Sequence, residues 1–324
     1  MKTKRLLILC TALIMLLSIP VLAAQDAYPV TVSNYNQEVT LEKEPERVVI
    51  LTINSAEILA ALGKTDNIIG IAKGHNDVQD ILPEYQDALK DLPYPKSLND
   101  GIPTLENMLN IKPDMVVMNA YYFNAAKIFG TLEDYTNNGI NIYANEGSYV
   151  PNCTIENTYN DVHNLGALFN AKERAEEIVA EMQNTVKDVQ EKVEDKEKKK
   201  VMLFDSTRED MFIIAGGIGL VNNMIELAGG ENIFKDVEKQ FGGVNIEEII
   251  ARNPDIIAIS EYFTETNDDV KNKIDYLNST EELSEVTAVK EGNYVIVPVI
   301  ATFPGLQNID FITKLAKAIA PEAF

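Results

Sequence analysis

One stretch of this chain occurs twice. Leu105-Glu-Asn-Met-Leu-Asn-Ile-Lys-Pro113-Asp-Met-Val-Val-Met118 aligns without a gap on Ile246-Glu-Glu-Ile-Ile-Ala-Arg-Asn-Pro254-Asp-Ile-Ile-Ala-Ile259. Each copy opens with apolar residues at helical spacing, breaks at a Pro-Asp turn and ends in an apolar run of strand length. Thr104 and Asn245 stand where a helix N-cap belongs. A helix–turn–strand unit repeated at this distance calls for two like halves rather than a single helical bundle or an all-β sandwich.

The chain around the two copies agrees. Val48–Leu51, Ile68–Ala72, Met115–Met118 and Ile140–Tyr143 read as strands in the first half, with Ser55 as the cap of a helix that Gly63 ends. Val201–Phe204, Ile256–Ile259 and Tyr294–Val297 do so in the second, and Val221–Ala228 is a helix closed by Gly229-Gly230. Between the halves Ala171, Ala175, Ile178, Met182, Val186, Val189 and Val193 step by three or four, the apolar stripe of one helix. At 1.5 Å per residue that helix runs roughly 40 Å, past both halves. The expected fold is α/β: two Rossmann-like lobes with mainly parallel sheets, joined by one long α-helix, with the ligand cleft between the lobes. Its expected parts are a leader over 1–23, an N-terminal lobe over 24–170, the connecting helix over 171–198 and a C-terminal lobe over 199–324.

The leader is read from its order of residues. Lys2, Lys4 and Arg5 precede the apolar run Leu6–Leu17, and Val21 and Ala23 supply the small residues a signal peptidase needs, so cleavage is expected near Ala23. Cys10 lies inside the apolar run without a lipoprotein cleavage site before it, which predicts a free, soluble periplasmic protein. Fifty acidic side chains against 28 basic, a formal charge of −22, exclude a nucleic-acid partner, and the one basic run, Lys196–Lys200, is interrupted by Glu197. Two His and two Cys leave no four-ligand zinc site, so no metal and no cofactor are expected. Cys153, alone after removal of the leader, reads as a small buried residue. No Gly-x-Ser-x-Gly, no His-Glu-x-x-His and no His/Asp cluster occurs, so no catalytic residue is assigned and an exported α/β enzyme is the weaker reading. Gly216-Gly217-Ile-Gly219 lacks the third glycine of a dinucleotide fingerprint and reads as a turn into a helix.

Ligands of open α/β sheets sit beyond the carboxyl ends of the strands. The loops there carry Asn54, His75, Tyr121, Tyr122, Tyr149, Arg208, Phe241, Tyr262 and Phe303, the candidate ligand-binding residues. Recurring Tyr and Phe suit a large flat or amphipathic ligand. Tyr121, Tyr122 and Phe123 cannot all face one way, so at least one belongs to the core. His75 is open to two readings, a cleft residue or a rim residue bonded to its neighbours.

Three motifs, Leu105-Glu106…Lys112-Pro113-Asp114, Leu227-Ala-Gly-Gly-Glu-Asn-Ile-Phe234 and Ile246-Glu247…Asn253-Pro254-Asp255, resemble the class III periplasmic substrate-binding proteins of ABC importers. That family includes ferric-siderophore-, haem- and cobalamin-binding proteins, and the resemblance runs from Arg47 through the last helix. It implies a monomeric protein that delivers an iron–siderophore complex or related macrocyclic ligand to a permease dimer with its ATPase. It also implies that Glu106 and Glu247, one per lobe, dock to arginines of that permease, although a first-turn glutamate is equally at home as a partner of the helix dipole. Arg208 is the one arginine in the candidate loops, which favours a neutral or cationic hydroxamate-like complex over an anionic catecholate. Haem or cobalamin is the alternative, and the lack of any Trp argues against the cobalamin branch.

Overall fold

The computed structural model describes residues 27–72, 78–262 and 268–324. The leader and its cleavage site lie outside them. The described chain begins with a hairpin, β1 (Val30–Asn34) and β2 (Gln37–Leu41), turned by Tyr35 and Asn36 at φ 48° and 58°. Both central residues left-handed is the two-residue turn that matches strand twist. Val30, Val32, Val39 and Leu41 point inward and Thr31, Ser33, Glu38 and Thr40 do not, the period of two that a half-buried strand requires. Asn34 then fastens the hairpin to the first lobe: its amide donates to the Ala144 carbonyl and accepts from the Ala144 N–H, each at 2.8 Å.

The first sheet is parallel, with β3 (Val48–Ile50), β4 (Ile68–Ile71), β5 (Met115–Asn119) and β6 (Asn141–Asn145) in the order β4-β3-β5-β6. The helix after β3 runs Ile53–Ala61 and its cap is Thr52, whose Oγ1 accepts from the Ser55 N–H. Ser55 itself sits inside the first turn.

The second sheet holds β7 (Lys199–Arg208), β8 (Met211–Ala215), β9 (Gly230–Asn232), β10 (Phe241–Val244), β11 (Ile256–Glu261) and β12 (Tyr294–Pro298). Its order is β10-β8-β7-β11-β12, with β9 beside the start of β7. β7, β9, β11 and β12 pair in parallel, whereas β8 and β10 add an antiparallel edge. Arg208 and Phe241, expected on loops, therefore lie on strands.

The two copies of the repeat fold alike. Helices Leu105–Ile111 and Ile246–Arg252 are capped by Thr104 and Asn245 and end in left-handed residues, Lys112 at φ 53° and Asn253 at φ 48°. The aspartate of each Pro-Asp turn then grips the start of the central strand. Asp114 accepts from the Glu46 and Arg47 N–H groups, and Asp255 accepts from the Lys200 N–H. The repeat thus sets strand register as well as helix position.

Lys172–Val193 is the long helix, ending before Lys198 because the stripe has no further apolar residue after Val193. It buries Ala175, Ile178, Val179, Met182, Val186, Val189 and Val193 against the helices Ile155–Leu168 and Asn308–Ile319. One apolar cluster runs through these helices from Val48 and Val117 in the first sheet to Val201 and Ala258 in the second. The two sheets therefore share a core.

Candidate ligand cleft

A cleft of about 400 Å³ opens beyond the carboxyl ends of β5 and β6 and faces the second sheet's loops. Tyr121 and Tyr149 form the first-lobe wall together with Tyr35 from the hairpin tip. Phe241, Phe303 and Gln240 belong to the opposite wall. Tyr121 is 46% exposed and its ring stacks on Tyr122 at 4.9 Å. Tyr35 stacks on Phe123 at 5.3 Å and meets Tyr149 edge-on at 5.1 Å, while the Tyr149 hydroxyl accepts from the Tyr35 N–H. These rings are held before any ligand arrives, so little side-chain entropy is lost on contact. Besides the tyrosines, the polar residues of the lining are Asn124, Ser148, Gln240 and Thr302, and no described residue of the lining is charged.

Four of the candidates, Tyr121, Tyr149, Phe241 and Phe303, share this cleft. The others do not. Tyr122 is a core residue, 7% exposed, with its hydroxyl donating to the Leu51 carbonyl at 3.2 Å and raised in pKa by burial. Asn54, 2% exposed, spends its amide on the Ile300 carbonyl at 2.9 Å. Arg208 lies exposed at the β7–β8 turn, away from the lining. Tyr262 is drawn into a polar knot instead: its hydroxyl donates to Asp205, its N–H to Asp269, and the Lys273 ammonium covers its ring at 4.7 Å. Burial and the Asp205 carboxylate hold the Tyr262 hydroxyl protonated. His75 lies outside the described residues. Glu106 and Glu247 are exposed in the first turns of the two repeat helices.

Tyr35, Asn124, Ser148, Gln240 and Thr302 were not among the candidates. Tyr35 had a readable signal in the alternation on either side of Asn34-Tyr35-Asn36, whereas nothing local marks Gln240. Gln240 also reaches across the cleft to donate to the Gly147 carbonyl at 3.3 Å. Cys153 is 2% exposed and burial pushes its thiol up to about 11, the state of an inert packing residue. Among the described residues no His, Cys, Asp and Glu group could hold a metal, and no helix is long and apolar enough to cross a membrane.

Gly216 and Gly217 are spent on packing. Their N–H groups donate to the Gln240 and Val237 carbonyls, so neither faces a phosphate. A methyl group on Gly217 would overlap the Lys235 carbonyl oxygen, and one on Gly216 the Lys239 carbonyl oxygen. Gly217→Ala should lower unfolding free energy by about 3 kcal/mol or more, since the obstacle is backbone that must move. Chemical denaturation checks this, and a variant within 1 kcal/mol of wild type (roughly the typical effect of any substitution) would show that the 235–239 loop yields freely.

A family model described as periplasmic binding protein matches residues 48–299. The ABC transporter substrate-binding lipoprotein YvrC of Bacillus subtilis is 26% identical over 303 residues, 92% of this chain and 88% of the relative. The Fe(3+) dicitrate-binding periplasmic protein FecB of Escherichia coli is 36% identical over 96 residues, 30% of each chain. The crystal structure of a periplasmic binding protein from Veillonella parvula superimposes with a TM-score of 0.78 at 26% identity, covering 90% of this chain and 97% of that one.

Proposed function

Because the chain belongs to the periplasmic binding protein family, we propose that its cleft captures an uncharged iron complex, a ferric siderophore of the hydroxamate type, for delivery to the permease dimer of an ABC importer. The chain is the substrate-binding component of such a transporter and a binding protein rather than an enzyme. In this reading the leader is removed near Ala23, the mature monomer works in the periplasm, and Glu106 and Glu247 meet arginines on the permease.

The observation that carries the ligand class is the lining itself: aromatic faces with uncharged polar groups and, among the described residues, no cation. An anionic complex desolvated there would lack a counter-charge, which costs several kcal/mol. A neutral hydroxamate complex keeps its metal charge balanced internally and offers an apolar surface to the rings. The iron-complex part of the reading also draws on the similarity to FecB.

Titration with ferric hydroxamate, ferric catecholate, haem and cobalamin, followed by tyrosine fluorescence, tests it. The hydroxamate complex should bind in the micromolar range or tighter. Tyr121→Ala and Phe303→Ala should each weaken it about tenfold, on the order of 1–2 kcal/mol, as aromatic anchors do. Catecholate binding as tight as hydroxamate binding, or binding of haem or cobalamin alone, would sink the reading.

A further inference from the structure

Two helices of the first half turn buried polar side chains toward one segment of the second. From helix Ile53–Ala61, Asn54 donates to the Ile300 carbonyl, and Glu57 one turn later accepts from the Gln307 amide at 2.8 Å. From helix Ile155–Leu168, the Thr158 hydroxyl donates to the Asn308 Oδ1 at 2.9 Å. Asn54, Glu57, Thr158, Gln307 and Asn308 are all nearly or wholly excluded from solvent, none more than 4% exposed. The segment they hold carries Thr302, Phe303 and Pro304 into the cleft.

Asn308 is the knot of this arrangement. Its Oδ1 accepts from Thr158 and from the Gly305 N–H at 3.0 Å, and its Nδ2 donates to the Ala301 and Phe303 carbonyls at 3.0 and 2.7 Å. That is the full capacity of a carboxamide, two bonds accepted and two donated. Three of the four bonds shape the Ala301–Gly305 loop, and the fourth ties it to the other half. The loop is also wedged from outside, since Asn54 fills the space where Gly305 would carry a Cβ.

We propose that Asn308, tied across the halves by Thr158, is a positioning residue for ligand capture: it sets the distance of the Phe303 wall from the Tyr121 and Tyr149 wall, and so the size of complex the cleft accepts. This rests on the reading that the cleft takes the iron complex. Asn308 touches no ligand and acts through Phe303.

The test uses Thr158→Val, which keeps the volume but removes the donor, with Thr158→Ser as the rescue. Hydrogen exchange of peptides over 301–305 in ligand-free protein is read against peptides of β11. Affinities are read for a small and a large ferric hydroxamate. Thr158→Val should speed exchange about tenfold over 301–305 alone, as expected for one lost buried hydrogen bond. It should also weaken the preferred complex about tenfold and shift the small-to-large preference, while Thr158→Ser matches wild type in every reading. Unchanged exchange, exchange raised evenly through the protein, or raised local exchange with unaltered affinities and preference would each overturn the proposal. If wild type binds neither complex, the ligand reading fails and the role in ligand placement falls with it. The exchange data then still decide whether Thr158 holds the loop, so the two failures are told apart.

Discussion

Replacing Glu106 and Glu247 together by alanine should reduce uptake of the iron complex to background while leaving its binding unchanged. Both carboxylates are exposed, and the repeat sets them at equivalent places in the two lobes. The local geometry separates them from helix capping. In the second copy the reciprocal cap is made by Glu248, whose carboxylate accepts from the Asn245 N–H while Asn245 accepts from the Glu248 N–H. In the first copy Thr104 accepts from the Asn107 N–H. Glu106 and Glu247 therefore contribute only through the helix dipole, about 0.3–1 kcal/mol each. Against a permease arginine each would form a charge-assisted pair, and two such pairs fix orientation and speed encounter. Glu248→Ala is the control: it should cost about 1 kcal/mol of stability, as a lost cap does, and leave uptake intact. Full uptake by the double variant, in cells lacking the wild-type protein, would show that the pair has no part in docking.

What could be read from the sequence follows the range of the interactions involved. The repeat helices, the parallel strands and the stripe of Lys172–Val193 announce themselves in apolar spacing, because one buried face imposes one period. The β1–β2 hairpin carries the same kind of signal over only five residues a side, too short a run to place it, and with it Tyr35, from spacing alone. β10, Phe241-Gly-Gly-Val, reads as a loop because its glycines lack side chains to pattern, yet Gly243 leaves the space that the Met211 side chain fills. The candidate site was legible where a strand end alone decides position, as for Tyr121 and Tyr149. It failed where a distant partner decides. Asn54 follows a strand as a cleft residue should, but its partner, the Ile300 carbonyl, is 246 positions away. Tyr262 likewise is claimed by Asp205, and Arg208 is carried off by an antiparallel turn that the α/β pattern does not foretell.

Glu57→Gln should make the protein more stable at pH 8 by about 2–4 kcal/mol and reduce the fall of its stability between pH 5 and 8. Glu57 is fully buried in helix Ile53–Ala61, where its Oε1 accepts from the Leu82 N–H and the Gln307 amide. Its Oε2 has no hydrogen-bond partner among the described residues. Burial raises its pKa to about 8, helped by the Glu84 and Asp310 carboxylates and opposed by the two bonds it accepts. The folded protein thus keeps a proton that the unfolded chain releases near the ordinary glutamate value of about 4.3. Between those limits the folded state binds more protons than the unfolded one, so stability is fully present below the lower value and falls as pH rises toward the upper. The fall is at most about 1.4 kcal/mol per pH unit and stops once the buried group ionises. Asp161, also raised by burial, adds a slope of the same sign that the substitution leaves in place, so the variant's curve should be shallower rather than flat. Glutamine keeps the accepting oxygen and cannot ionise. Denaturant midpoints at pH 5, 6.5 and 8 decide the matter: curves that converge toward low pH and separate toward pH 8 are expected, and parallel curves would mean that Glu57 is already ionised in the folded protein.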